Sequence, residues 1–492
     1  MNNSFTNWKR TIKIVSTADA GGEYILPNDK PDVKRIVHVL SAVKKNGCYS
    51  GDRDVTAEGE ITYSILYAGD DGELHSVGYA CPLTAKYQLK DGEEGDFAYA
   101  EVLSTDTQVR LSNPRKFSIK SRTRIEFSVF RREEITPYIE GVQDNGLQYD
   151  EKTGVTYSVS SERNDNIPLS LDVHIPENLP EPASVVCAYA VPGMPAVTPY
   201  DSKAEVSFCM EFLFICKSTD GELFSFGHKE DVSHEIDADG ITLGSVCRAN
   251  VCASDVSCSL TTDTAGEMRV VEVDLTYDVE VLYETAMNGV YISDMYSTDY
   301  ECREVFSDMT LRRALPVFSA HYTVSGNAEN ESGGEIIAAT AECDKYTLAA
   351  DKNGAVIEGA ADVYLIKKND TDFEGQTASV PFRISVPYSI NEENENNVNV
   401  KASMPAVRED NGKIYIDTEI YVTLCGAEYS TVQTAATLTI TDIPAQKEKA
   451  PLLLYRPAPE ETIWDVAKRF KVSMEEIRKA NESNKKKVYI IP

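Results

Sequence analysis

Six histidines, at 38, 75, 174, 228, 234 and 321, are where acid–base or metal chemistry would first be sought. Their densest grouping is His228, Asp231, His234 and Asp237. A metal needs ligands that close around it, and one short segment seldom supplies them. The grouping reads as a solvated acidic stretch of strand and turn. Asp70, Asp71 and Glu73, and likewise Asp370, Asp372 and Glu374, offer the oxygen ligands that calcium takes. They lack the full loop pattern with its distal glutamate, and read as hairpin turns. Cys247, Cys252 and Cys258 fit none of the common zinc spacings. Val251 and Val256 among them point to strand with buried thiols. No phosphate loop, Gly-x-Gly-x-x-Gly run, Gly-x-Ser-x-Gly elbow or His-Glu-x-x-His helix occurs. No catalytic residue, metal or cofactor is expected, and an enzyme is the last-ranked reading.

The elements that hold these residues belong to a chain of 492 residues, about three domains at roughly 150 each. Asp+Glu number 79 against 48 Lys+Arg, a net charge of −31. With 42% hydrophobic and 9% aromatic residues the chain can bury ordinary cores. So acidic a surface repels phosphate backbones and anionic lipids, which argues against general nucleic-acid or membrane-surface binding. No apolar run reaches the roughly 18–20 residues of a membrane helix. The first 22 residues carry charge without an apolar core, so no signal peptide is expected. Eleven cysteines, an odd number without a CxxC pair, read as reduced thiols in a cytosol.

The chain repeats itself. YILPNDKPDVKRIV (24–37) lines up with VHIPENLPEPASVV (173–186), and ITYSILYAGDDGELHSVGY (61–79) with MEFLFICKSTDGELFSFGH (210–228). Pro27 and Pro176, Pro31 and Pro180, and Gly72 and Gly221 are all 149 apart. A weaker third copy, 336–375, resembles 35–74, with Glu58-Gly59 and Glu358-Gly359 at a spacing of 300. It lacks the proline pair. Alternation at Ile61–Ile65, Asp-Gly turns at 71–72 and 220–221, and long alternating runs at 116–130, 270–283 and 413–424 predict antiparallel strands. The expected fold is mainly β: tandem antiparallel β-sandwich-like repeats at 1–155, 156–315 and 316–447. The Tyr-rich segments 136–154 and 283–304 read as extra hairpins or linkers.

The last forty residues differ. Pro444, Pro451, Pro457 and Pro459 mark a semi-rigid connection. Leu453–Tyr455 and Val488–Ile491 read as strands. Thr462–Asp465 and Ser473–Glu476 read as helix starts of the S/T-x-x-D/E type. The order is β-α-α-β, a small α+β domain at 452–492. Nine positive and six negative side chains give it +3 against −34 for the rest, which points to a separate binding role. Trp464, one residue into the first helix, serves either as core or as an exposed anchor, a frequent hot spot. Lys485, Lys486 and Lys487 form a basic loop: either a solvated turn or a contact with an acidic partner.

This segment resembles a LysM domain. Thr462, Ile463, Trp464, Val466, Ala467, Asn481, Ile491 and Pro492 carry the resemblance. Glu460 and Glu461 stand where the family has Gly-Asp, in a loop that forms part of the glycan groove of wall-binding relatives. The added charge argues against sugar binding. The repeats, with LPNDKPDVKRIVHV, VTAEGEITYSILY and DGELHSV, are similar to the SPOCS domain (domain of unknown function 3794) of spore-coat proteins. Tandem copies followed by LysM resemble the clostridial coat morphogenetic proteins. The resemblance implies a non-enzymatic scaffold in the mother-cell cytoplasm at the forespore surface. Its LysM would contact the sporulation stage IV coat ATPase, with other coat proteins as further partners. Glu460, Glu461, Thr462, Ile463, Trp464, Asn481 and Lys485–Lys487 are the expected docking residues. The alternative is a cell-wall protein using LysM to bind peptidoglycan.

Overall fold

The structure is a computed structural model that describes residues 5–143, 146–254, 256–331, 333–352, 354–370, 372–391, 393–446, 453–481 and 488–492. The first unit contains β1 (Phe5–Ile25), β2 (Val33–Ser50), β3 (Asp54–Gly69), β4 (Leu74–Gln88), β5 (Phe97–Asn113), β6 (Lys116–Ile135) and the short β7 (Tyr138–Gly141). The second contains β8 (Leu147–His174), β9 (Pro182–Pro192), β10 (Ala196–Tyr200), β11 (Lys203–Ser218), β12 (Leu223–Asp237), β13 (Val246–Ala253), β14 (Ser257–Thr261) and β15 (Val270–Ser297). The third contains β16 (Tyr300–Glu329), β17 (Glu335–Asp351), β18 (Gly354–Asn369), β19 (Asp372–Val386), β20 (Glu395–Ala402), β21 (Ala406–Asp410) and β22 (Lys413–Pro444). Then follow β23 (Leu453–Tyr455), α1 (Ile463–Phe470), α2 (Met474–Asn481) and β24 (Tyr489–Ile491). The mainly β architecture with a small helical end is the one expected.

Each unit packs two antiparallel sheets around its own core. The inner sheets are β2-β3-β4, β9-β11-β12 with β10, and β17-β18-β19. The outer sheets are centred on β6, β15 and β22, the three long alternating runs seen in the sequence. Their alternation is physical: Phe117, Ile119, Ile125 and Phe127 of β6 point into the sandwich while polar neighbours face out. Asp71-Gly72 and Asp220-Gly221 turn the hairpins as expected, with the glycines at φ +81° and +86°.

The central inner strands are buried on both faces. In β3, Ile61, Tyr63, Ile65 and Tyr67 enter the sandwich core, while Leu66 and Ala68 face the other way. Phe212, Phe214 and Cys216 of β11 do the former, and Leu213 and Ile215 the latter. Leu365 and Ile366 divide likewise in β18. The outward-turned set forms a further core shared by all three units. The inner sheets therefore stand around a pseudo-threefold axis. β4 abuts β9, β12 abuts β17, and β19 abuts β2, closing the ring. One contact recurs at the seams. Ser76 Oγ donates to the Val186 carbonyl at 2.8 Å, and Ser225 Oγ to that of Ile337. At the third seam Gly375 takes the serine's place, and any Cβ there would strike the Val37 carbonyl.

The outer strands continue past the sandwiches as three ribbons: β1/β6, β8/β15 and β16/β22. They gather into a stalk. Phe5, Met309 and Leu311 fill its centre with Tyr291 at their side. Asn7, 1% exposed, donates to the Thr310 carbonyl at 3.0 Å and accepts from Thr156 Oγ1 at 3.2 Å, so one side chain ties all three ribbons. Below this layer Arg312 lies between Glu284 and Glu395, and Arg10 meets Glu395 at 2.7 Å. Two charges of each sign balance within this buried cluster. β7 lies parallel to β22 at Thr437–Ile440, so the end of the first unit is stitched to the end of the third. The Tyr-rich segments are thus largely strand. Positions 155/156 and 315/316 lie inside β8 and β16, and these strands begin at Leu147 and Tyr300. No helix of the described residues is long and apolar enough to cross a membrane.

Candidate functional site: the terminal module and its seat

The two short helices form for local reasons. Thr462 caps α1: its Oγ1 accepts from Asp465 N at 3.2 Å, and Asp465 Oδ2 accepts from Thr462 N at 2.8 Å. Ser473 and Glu476 repeat this box at α2. Lys471 ends α1 in the left-handed conformation, φ +53°. Val466, Ala467 and Ile477 are fully buried. β23 and β24 pair antiparallel beneath them, Leu453 opposite Ile491.

The expected docking residues have distinct placements. Glu460 is exposed. Glu461 accepts from the Tyr455 hydroxyl at 2.7 Å and pairs with Arg469 at 2.7 Å. The Tyr455 hydrogen bond holds its carboxyl below the usual range. Asn481 Nδ2 donates to the Ile477 and Ile490 carbonyls at 2.7 and 2.8 Å, and its Oδ1 accepts from Ile490 N at 2.8 Å. It clamps α2 to the closing strand. Ile463 packs at the edge of the module core. Lys485, Lys486 and Lys487 lie outside the described residues.

Trp464 faces the stalk. It is 6% exposed and meets Tyr296 edge to face at 4.9 Å between ring centroids. Its Nε1 donates to Asp294 Oδ2 at 2.8 Å. One helical turn on, Lys468 Nζ reaches Asp294 Oδ1 at 2.7 Å and Glu304 Oε2 at 2.6 Å. Burial opposes the Lys468 charge, yet the two carboxylates outweigh it and hold its pKa above the ordinary lysine value. Tyr296, fully buried, donates from its hydroxyl to the Val472 carbonyl at 2.7 Å. Burial pushes that phenol's pKa well up. Trp464 is thus both core and anchor, and its anchorage is to this chain's own stalk. Sequence reasoning did not single out Asp294, Tyr296 or Glu304. Their signal was the acidic, Tyr-rich 283–304 stretch facing a basic-leaning module.

The candidate metal groupings come apart on the strand. His228 and His234 share one face of β12, and Asp231 and Asp237 the other. His234 Nε2 is hydrogen-bonded to Asn164 at 2.9 Å. Asp71 accepts from Glu73 N at 3.0 Å within its turn, and Asp372 meets Lys34 and Arg35 at 3.4 and 3.5 Å across a seam. All eleven cysteines are unpaired. Burial pushes the thiols of Cys187, Cys216, Cys247 and Cys343 up to about 12.

What the site offers is protein surface. Residues 32–112, spanning β2 to the end of β5, match the family model described as SipL, SPOCS domain, and residues 458–490 match the LysM domain. No curated protein and no solved structure matches the chain. The chain therefore carries a SPOCS domain of the SipL type together with a LysM module, both non-catalytic families. It is a sporulation-related protein.

Proposed function

We propose that this chain is a non-enzymatic scaffold of the spore coat, acting in the mother-cell cytoplasm at the forespore surface. We further propose that its body is three SPOCS-like units, and that its LysM module docks on the sporulation stage IV coat ATPase. The carrying observation is the pairing of the two domains in one chain, with the LysM module held at the far end of a stalk. A module so placed is presented to a surface rather than folded against the head. The docking contact runs through the exposed Glu460, its neighbours up to the cap at Thr462, and the Lys485–Lys487 loop. Trp464 and Asn481 keep the module seated and closed. Arg456, Arg478 and Lys479 are further exposed basic side chains of the module, which suit an acidic partner surface. On a polymerised partner, weak contacts of one chain gain from effective concentration.

The test is recruitment by the full chain against a chain ending at 446. Loss of recruitment to the ATPase-coated surface, with the melting temperature of the β body kept, is the expected result. Retained recruitment would place the contact on the β units.

A further inference from the structure

The seam between the second and third units opens into a cleft of about 750 Å³. Leu213 and Leu223 of the second unit and Ile337 and Ala338 of the third line its apolar side, and all four belong to the shared axial core.

One wall of the cleft is a strand edge. β12 is the end strand of its sheet, and no strand among the described residues pairs with its outer side. Ser218 N donates to the Glu222 carbonyl at 2.8 Å where the β11–β12 hairpin closes, and the register then runs without a shift. Hydrogen-bonded pairs recur at every second residue of such a ladder, so Phe224, Phe226 and His228 bond to β11. Ser225, Gly227 and Lys229 therefore turn their N–H and C=O groups to the outer edge. β17 faces that edge but bulges at Ile337, and a side-chain bond crosses instead, from Ser225 Oγ to the Ile337 carbonyl. Beyond it Gly227 is exposed, with no side chain to bar a second backbone. The corresponding edge at the third seam, β19, is drawn against β2: Asp372 meets Lys34 at 3.4 Å, and Gly375 lies against the Val37 carbonyl. An open strand edge is a template for pairing with another chain.

The charges on the cleft leave one sign to spare. Lys229 is spent on Glu211 at 2.8 Å, and His228 stands 3.4 Å from Glu230. Glu335 and Glu409, both exposed on the cleft, form no ion pair among the described residues. The groove therefore suits a segment that carries positive charge.

We propose that this cleft takes an extended, basic peptide segment of a partner protein, added as a strand to the edge of β12 at Gly227 and Lys229. Its alternate apolar side chains lie on the leucine and isoleucine wall, and its basic side chains meet Glu335 and Glu409. The segment touches two units at once, so its binding also braces their seam. This assignment is independent of what the LysM module docks on.

The test is fluorescence anisotropy of dye-labelled hexapeptides titrated with the full chain. The probes are Lys-Val-Lys-Val-Lys-Val, its Glu-Val counterpart, and the Lys-Val peptide with its backbone amides methylated. Saturable binding of the first is expected, with the other two at least tenfold weaker; the acidic peptide reads the charge and the methylated one the backbone pairing. Gly227→Leu is expected to weaken binding at least tenfold. A Cβ there meets only the Phe212 carbonyl, at 3.4 Å, so the strand keeps its form. Glu335→Gln combined with Glu409→Gln is expected to weaken binding severalfold, and carries the comparison if Gly227→Leu fails to fold. Absence of saturable binding by the Lys-Val peptide, equal binding of either control peptide, or undiminished binding by these variants overturns the proposal.

Discussion

Trp464 shows how one side chain joins two levels of structure. Its ring completes the module core, and its indole N–H fixes that core to Asp294. Removing the acceptor leaves a buried donor and weakens the hold on Lys468, a loss of about 1–3 kcal/mol at the seat. The chain has two tryptophans, Trp8 and Trp464. In a Trp8→Phe background, Asp294→Ala is expected to shift Trp464 emission to the red while the far-ultraviolet dichroism is unchanged. An unchanged emission would mean that the seat does not depend on Asp294. The core role of Trp464 was one of two alternatives the sequence left open; its contact with Asp294 was not legible, because Asp294 is 170 residues away and marked only by its type.

His38 makes a prediction about pH. It is buried between the Thr340 hydroxyl, 3.0 Å away, and the Tyr364 ring, at the seam of the first and third units. Burial lowers its pKa to about 4, against 6.5 for the free side chain. The unfolded chain then takes the proton first. His38's contribution is fully present above pH 6.5 and is lost as the pH falls towards 4. His38→Gln is expected to flatten the fall in melting temperature between pH 6.5 and 4. An equally steep fall in the variant assigns the acid sensitivity elsewhere.

At the level of elements, the strands most legible from sequence were those with one wet face. β6, β15 and β22 alternate cleanly within the sandwiches and were found on that signal. Their continuations into the stalk were not, because ribbon residues pack partly on other ribbons and carry tyrosine and charge. Long range hides them too: Asn7 bonds a carbonyl 303 residues on. The glycines record where strands come closest. Gly59 and Gly359, matched in the repeat, each lie where a Cβ would strike the carbonyl of Lys44 or Lys345. Gly141 has φ +101°, and a Cβ there would collide with the Ile440 carbonyl. Gly141→Ala is expected to destabilise the β7–β22 stitch by about 1–3 kcal/mol, from overpacking and a disfavoured φ. Hydrogen exchange at Thr437–Ile440 checks it: protection should fall there and persist in the head.

At the scale of the molecule, three sandwiches with their own cores share a further core where their inner sheets meet. The 149-residue spacing announced the first two copies and a weaker match at 300 the third, but not that they close into a ring. Closure depends on the second face of β3, β11 and β18, whose unbroken apolar runs look like ordinary buried strand. Ile215 and Ile366 are fully buried in that shared core. Ile366→Ala is expected to cost about 2–5 kcal/mol. Because the core is common to the three units, it should lower one cooperative transition; a separate early melting of the third unit alone would show that the units fold independently.

The most direct measurement is co-sedimentation of the full chain, and of the chain ending at 446, with polymerised stage IV coat ATPase and, in parallel, with purified peptidoglycan. The account predicts that the full chain sediments with the ATPase polymer and not with peptidoglycan, and that the shortened chain sediments with neither. Sedimentation of the full chain with peptidoglycan alone would contradict it, and would show that Glu460 and Glu461 do not prevent sugar binding.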